Sequence, residues 1–294
     1  MFPRDAIAAA IESATGKPVR ATGHQAVGGG CINQAVRLGT DAGDYFVKFN
    51  DASALDMFEA EAEGLEEIAR SGTLRVPRPV CHGVEGGTAY LVLDWLALGA
   101  GNGGALERLG EGLAAMHQVT RDRYGWHRDN TIGSTPQVNT EHHEWVSFWR
   151  DRRLGYQLAL AARNGFGGHL RQAGEELMDR LDGLFAGYVP APALLHGDLW
   201  SGNYAVTRNG EPVVFDPAVY FGDREADLAM TELFGGFGER FYGAYRAAYP
   251  LDPGYPVRRQ LYNLYHVLNH ANLFGGGYAG QAQRMIEGLL SELR

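Results

Sequence analysis

The stretch LLHGDLWSGNYAV, residues 194–206, crowds His196, Asp198, Ser201 and Asn203 between apolar residues that predict strand. H-G-D-L-W-S-G-N has the H-x-D-L-x-x-x-N spacing of a phosphoryl-transfer loop, in which the aspartate takes the proton of an attacking hydroxyl and the asparagine holds a divalent cation. One loop must serve both tasks, because the nucleophile and the metal-bound phosphates lie on opposite sides of the moving phosphorus. Asp198 is therefore the candidate base and Asn203 a candidate metal ligand. Farther on, VVFDP puts Asp216 at the end of an apolar strand, where a second metal-binding carboxylate belongs. Oxygen donors of this kind suit Mg2+.

Two upstream features extend the pattern. YFVKFN places Lys48 mid-strand among apolar residues, which is costly for an ammonium unless it meets a phosphate or a carboxylate. Gly28, Gly29 and Gly30 precede it by a hairpin-like interval, as a phosphate-covering loop should. Glu61, on the helix predicted after Lys48, supplies a carboxylate to orient the lysine, and Glu59 and Glu63 lie at competing spacings. An aspartate alone is an ordinary turn residue. The ordered set of loop, lysine, glutamate, base, asparagine and metal aspartate points to ATP and Mg2+ as cofactors.

Departures narrow the acceptor. Asn33 stands where a protein kinase has its third loop glycine, Asp216 is followed by Pro217 and Ala218, and no A-P-E segment follows. These favour a small-molecule acceptor over a peptide docked on an activation loop.

The elements that must position these groups fall into two regimes. Residues 4–14 predict a short amphipathic helix, QAVGGGCINQAVRL and DYFVKFN predict strands joined by TDAGD, residues 55–70 a helix, and VPRPVCHGVEGGTAYLVLDWL two more strands. The order β-β-β-α-β-β makes an α+β lobe. Residues 96–105 are glycine-rich, and helices dominate beyond them, with the motif at 194–206 and VVFD as the only strand-like inserts. We therefore expect an α+β, bilobal, protein-kinase-like fold. Its parts are an N-terminal ATP-binding lobe with a small antiparallel sheet (1–95), a hinge (96–104) and a larger, mostly helical catalytic and substrate-binding lobe (105–294).

Composition bounds the rest. With 45% hydrophobic and 21% charged residues the chain is an ordinary globular one, and a net charge of -9 disfavours a nucleic-acid partner. Cys31 and Cys81 form no C-x-x-C pair, the first residues lack a signal-peptide pattern, and no run of eighteen or so apolar residues spans a membrane. A soluble cytoplasmic protein without membrane partner is expected, monomeric or weakly dimeric.

The chain resembles the fructosamine kinase family, also called ketosamine kinases, within the aminoglycoside and choline phosphotransferase group. The resemblance covers almost the full length and rests on GGGCIN, YFVKFN, FEAEAEGL, RYGWHRDNTIGSTPQVN, HGDLWSGN, VVFDPAVYFGDREADLAM and LYHVLNHANLFGGGY. It implies ATP-dependent phosphorylation of the 3-hydroxyl of a small-molecule or protein-bound ketosamine, whose 3-phosphate then eliminates and frees the amine. It further implies that Lys48 binds the ATP phosphates with Glu61 as partner, that Asp198 is the base, and that Asn203 and Asp216 hold Mg2+. Backbone groups near Asp94 and Leu96 would face adenine. Ribulosamines, erythrulosamines and fructosamines are all compatible acceptors.

Two other readings compete. An aminoglycoside, choline or homoserine-like kinase would share the catalytic residues. A nucleotide-binding pseudokinase would be free to lose Lys48, Asp198, Asn203 or Asp216, yet all four are present. Trp200 either stacks on a sugar or cationic amine or simply packs. His196 and Asp227 are expected to brace the catalytic loop, and Cys31 sits within the phosphate loop.

Overall fold

A computed structural model describes residues 2–28, 32–101 and 104–293. Its first elements are α1 (Arg4–Thr15), β1 (Ala21–Ala26), β2 (Gln34–Thr40), β3 (Gly43–Asp51), α2 (Leu55–Ser71), β4 (Pro79–Glu85) and β5 (Thr88–Asp94). There follow α3 (Ala105–Met116), β6 (Asn130–Ile132), β7 (Thr135–Gln137), α4 (Trp145–Phe148), a π-helical turn at Trp149–Leu154, α5 (Gly155–Arg163) and α6 (His169–Asp179). The chain continues through β8 (Ala193–Leu195), β9 (Tyr204–Val206), β10 (Pro212–Val214), β11 (Tyr220–Gly222), α7 (Arg224–Leu233), α8 (Glu239–Ala248), α9 (Tyr255–Phe274) and α10 (Tyr278–Glu292).

By contacts the chain divides into two units, Met1–Ala105 with Ala205–Pro217, and Leu106–Tyr204 with Ala218–Arg294. In the first, β1-β2-β3-β5-β4 form an antiparallel sheet in that order. Successive side chains of a strand point to opposite faces. Val47 of β3 joins Val36, Leu38, Tyr90 and Val92 in a core closed by Ile7, Ala8 and Ile11 of α1. Lys48, one residue on, turns away from that core, and its side chain meets α2. That helix buries Phe58, Leu65 and Ile68 and ends at Gly72, whose φ of 67° suits glycine.

The segment 205–217 clusters with this unit, whereas the sequence division placed it among residues 105–294. The reason is backbone pairing. The Gly99 amide donates to the Val206 carbonyl (2.9 Å), the Arg208 amide to Ala97 (2.9 Å) and the Val214 amide to Arg75 (3.0 Å). Part of the stretch read as a glycine-rich hinge is thus held to the β9–β10 hairpin.

The second unit is built around α9, whose Leu261, Tyr262, Leu264, Tyr265, Val267, Leu268 and Ala271 are all buried. Trp145, Phe148, Trp149, Tyr220, Tyr262 and Tyr265 form an adjoining aromatic cluster. Three short strands here were not anticipated: the β6–β7 hairpin, and β11, which pairs Tyr220 with Leu195 of β8. Three-residue strands are too short for an alternating pattern to show. Among the described residues no helix is long and apolar enough to cross a membrane.

Candidate active site

Lys48 is only 7% exposed, and its Nζ donates to Glu61 Oε1 (2.6 Å) and to Asp216 Oδ1 (2.5 Å). Burial alone would pull the ammonium's pKa down, but the two carboxylates outweigh it and the net shift is upward. Lys48 therefore stays charged. Glu61 is the glutamate that meets it, of the three at compatible spacing, because Glu61 lies on the stripe of α2 that carries Phe58 and Leu65. Burial holds its carboxyl above the ordinary 4.5 despite the lysine.

Asp216 follows β10 with a φ of 57°, the only positive value at a non-glycine among the described residues. A residue kept in this region persists only where its surroundings impose the conformation. Its side chain is 43% exposed, so the carboxylate faces both Lys48 and solvent.

In the second unit, Asn203 sits in a tight turn after Trp200 and donates from Nδ2 to the Asp198 carbonyl (2.9 Å) and to Asp198 Oδ2 (3.3 Å). The same amide thereby orients the candidate base and leaves its own oxygen for a cation. Among the described residues no cluster of three or more His, Cys, Asp or Glu side chains forms a metal cage. The Asp216 carboxylate and the Asn203 amide oxygen are each donors of the kind that Mg2+ accepts alongside phosphates and water.

The loop that carries the candidate base is tied down by Asp227 of α7. Its Oδ2 accepts from the His196 amide (2.7 Å), its Oδ1 from the Gly197 amide (2.8 Å), and His117 Nε2 lies 3.2 Å from Oδ2. Burial pushes the Asp227 carboxyl upward, yet these donors hold it below its ordinary value. His196 Nδ1 in turn accepts from the Asp198 amide (3.3 Å), so both residues brace the loop as expected. Asp227→Ala would orphan buried donors and cost on the order of 3–5 kcal/mol. Chemical denaturation should register that loss, with Asp227→Asn intermediate.

The remaining expected site residues are placed as follows. Gly28 is exposed, and Gly29, Gly30 and Cys31 lie outside the described residues. The Asp94 amide donates to the Arg78 carbonyl (2.9 Å), and its carboxylate accepts from the Arg78 amide (2.6 Å). This amide is therefore engaged in joining β5 to the entry of β4. Leu96 lies just beyond the β3–β5 pairing, before Leu98 bridges to Thr207. Trp200 is 38% exposed, stands edge-on to Phe234 (6.1 Å) and covers Gly202, where an added Cβ would fall 2.2 Å from the indole.

Sequence reasoning passed over Gly197, Asn130 and Gln137. Gly197 has φ 82°, and a Cβ there would lie 2.0 Å from the Ala218 carbonyl oxygen, so only glycine lets the two loops touch. Asn130 Nδ2 donates to the Val219 carbonyl (2.8 Å) and Gln137 Nε2 to the Ala218 carbonyl (3.1 Å). Their signal was present in the D-N-T-I-G-S-T-P-Q run, which mixes polar side chains with strand-forming residues.

Residues 3–292 match the model of the fructosamine kinase family. The chain belongs to the fructosamine kinase family. A protein of Synechocystis sp. assigned as a ketoamine kinase is 51% identical over 97% of this chain and 96% of its own. The chloroplastic protein-ribulosamine 3-kinase of Arabidopsis thaliana is 46% identical over 95% of this chain and 86% of its own. A solved structure from Thermobifida fusca YX-ER1, assigned as a fructosamine-3-kinase, is 34% identical, with a TM-score of 0.85 covering 98% of this chain and 99% of that one. The fold is the expected α+β, protein-kinase-like one, and the protein is an ATP-dependent phosphotransferase acting on a hydroxyl.

Proposed function

We propose that the protein phosphorylates the 3-hydroxyl of ketosamines, ribulosamine-type adducts among them, and so initiates deglycation of amines. The observation that carries the substrate class is Trp200, two residues from Asp198, whose indole is exposed and propped by Gly202 and Phe234. A ketosamine joins a sugar to a protonated amine, and an aromatic face suits both the carbohydrate C–H groups and the cation.

In this reading Asp198 takes the proton of the 3-hydroxyl as its oxygen bonds to the γ-phosphorus, and the bond from that phosphorus to the β-phosphate oxygen breaks to release ADP. Asn203 keeps the Asp198 carboxylate aimed. Lys48, held by Glu61, binds the ATP phosphates, and the backbone beyond β5 near Leu96 meets adenine. Asn203 and Asp216 would hold Mg2+, which would supply charge neutralisation for the phosphates. We assign the protein to the soluble cytoplasm.

The test is ATP consumption by the purified protein with ribulosamine, erythrulosamine and fructosamine adducts, free and protein-borne, alongside choline and an aminoglycoside. Phosphorus NMR should find a sugar 3-phosphate that decays with release of free amine. Turnover of choline or the aminoglycoside with none of any ketosamine would overturn the proposal.

A further inference from the structure

Arg153 has no solvent exposure, and among the described residues no carboxylate pairs with it. It lies in the π-helical turn, with its guanidinium over the Tyr220 ring (4.1 Å) and the Phe148 ring (4.7 Å). Burying an unpaired cation is expensive, and an apolar side chain would fill the space at lower cost. What a guanidinium adds is direction, because it can only donate hydrogen bonds.

That direction propagates. Arg153 donates to Asn139 Oδ1 (2.8 Å), which leaves Asn139 Nδ2 to donate to Asn130 Oδ1 (2.9 Å). Gln137 Nε2 donates to the same Asn130 oxygen (2.8 Å), and Tyr265 fixes Gln137 by donating to its Oε1 (2.8 Å). Asn130 and Gln137 then have donors left for the carbonyls of Val219 and Ala218. The Ala218 amide donates to the His196 carbonyl (2.8 Å). Ala218 and Val219 come directly after Asp216 and Pro217, so this line of amides ends on the chain that leaves a non-glycine residue of positive φ.

We propose that Arg153, Asn139, Asn130 and Gln137 are positioning residues that hold the chain after Asp216 so that its carboxylate is preset for a divalent cation. The inference rests on the reading of Asp216 as a metal ligand. Asp216 in the left-handed region must be restrained on both flanks. On one side the Val214 amide is fixed to Arg75, and on the other the two carbonyls are fixed by Asn130 and Gln137. Released from that restraint, Asp216 relaxes toward an ordinary conformation, and metal binding must then supply the ordering.

The experiment uses the whole protein with Gln137→Met combined with Tyr265→Phe, which removes both partners of one buried bond so that no hydroxyl is orphaned. Should that variant fail to fold, Gln137→Glu keeps an acceptor for Tyr265 and replaces the amide donors with a carboxyl oxygen. Mn2+ binding in the presence of ATP is read by electron paramagnetic resonance, beside thermal melting and steady-state kinetics. We expect Mn2+ to bind about tenfold or more weakly, with KM for the ketosamine within threefold of wild type and turnover recovered at high Mg2+. A folded variant that binds Mn2+ within about twofold of wild type would overturn the inference, as would lost turnover that no Mg2+ concentration restores. Wild-type protein that binds no Mn2+ with ATP would instead remove the metal reading beneath it.

Discussion

Asp198→Asn is expected to lose about 10^2- to 10^4-fold in kcat while binding ATP as wild type does, because a general base contributes on that scale to the chemical step and little to ground-state binding. The substitution is a clean one. The Asp198 amide still donates to His196, and the Asp198 carbonyl still accepts from Asn203, because both bonds use the backbone. The loop's main anchor is Asp227, which the substitution leaves alone. Melting temperature should therefore move little, separating this variant from Asp227→Ala, which loses fold and activity together. Turnover on a ketosamine and calorimetric ATP binding give the two readouts. An Asp198→Asn enzyme turning over within about threefold of wild type would remove Asp198 from the role of base.

The first unit was largely readable because its chemistry coincides with regular structure. Lys48 stands out as a charge inside an alternating strand, and the pleat that sends Val47 to the α1 core sends Lys48 to α2. Choosing Glu61 over Glu59 and Glu63 needed only the helical period once Phe58 and Leu65 were known to be buried. The α-β-β-β-α-β-β order followed from the same periodicities.

What sequence did not disclose lies in segments without a period. The β6–β7 hairpin, β11 and the amide line from Arg153 are made of short strands and single side chains whose partners are distant in sequence, such as Asn130 and Val219. A buried arginine without a carboxylate cannot be told from a surface arginine by composition. The allocation of residues 205–217 was hidden for a similar reason, since it depends on pairing with residues 97–99, from which α3 to β8 separate it in sequence. In each case a long-range hydrogen bond decided the outcome, and local pattern carries no record of it.

Lys48→Met should reduce kcat/KM by about 10^2- to 10^3-fold, the scale on which one preorganised charge contributes to a phosphoryl-transfer site. It should also change how stability depends on pH, with a definite sign. In the wild type burial raises the Glu61 carboxyl, and Lys48 opposes that rise from 2.6 Å. Without the lysine the carboxyl moves further up, so the folded variant holds a proton that the unfolded chain, at an ordinary 4.5, releases. The resulting stability is fully present below about pH 4.5 and is lost as pH rises through the raised folded value. Relative to wild type, Lys48→Met should therefore look sounder near pH 5 than near pH 8, with a slope of at most about 1.4 kcal/mol per pH unit for the one proton involved. Adding Glu61→Gln should flatten that slope without restoring turnover. Urea unfolding midpoints across this range make the measurement, and a variant whose deficit is constant with pH would show that Glu61 does not depend on Lys48 for its charge.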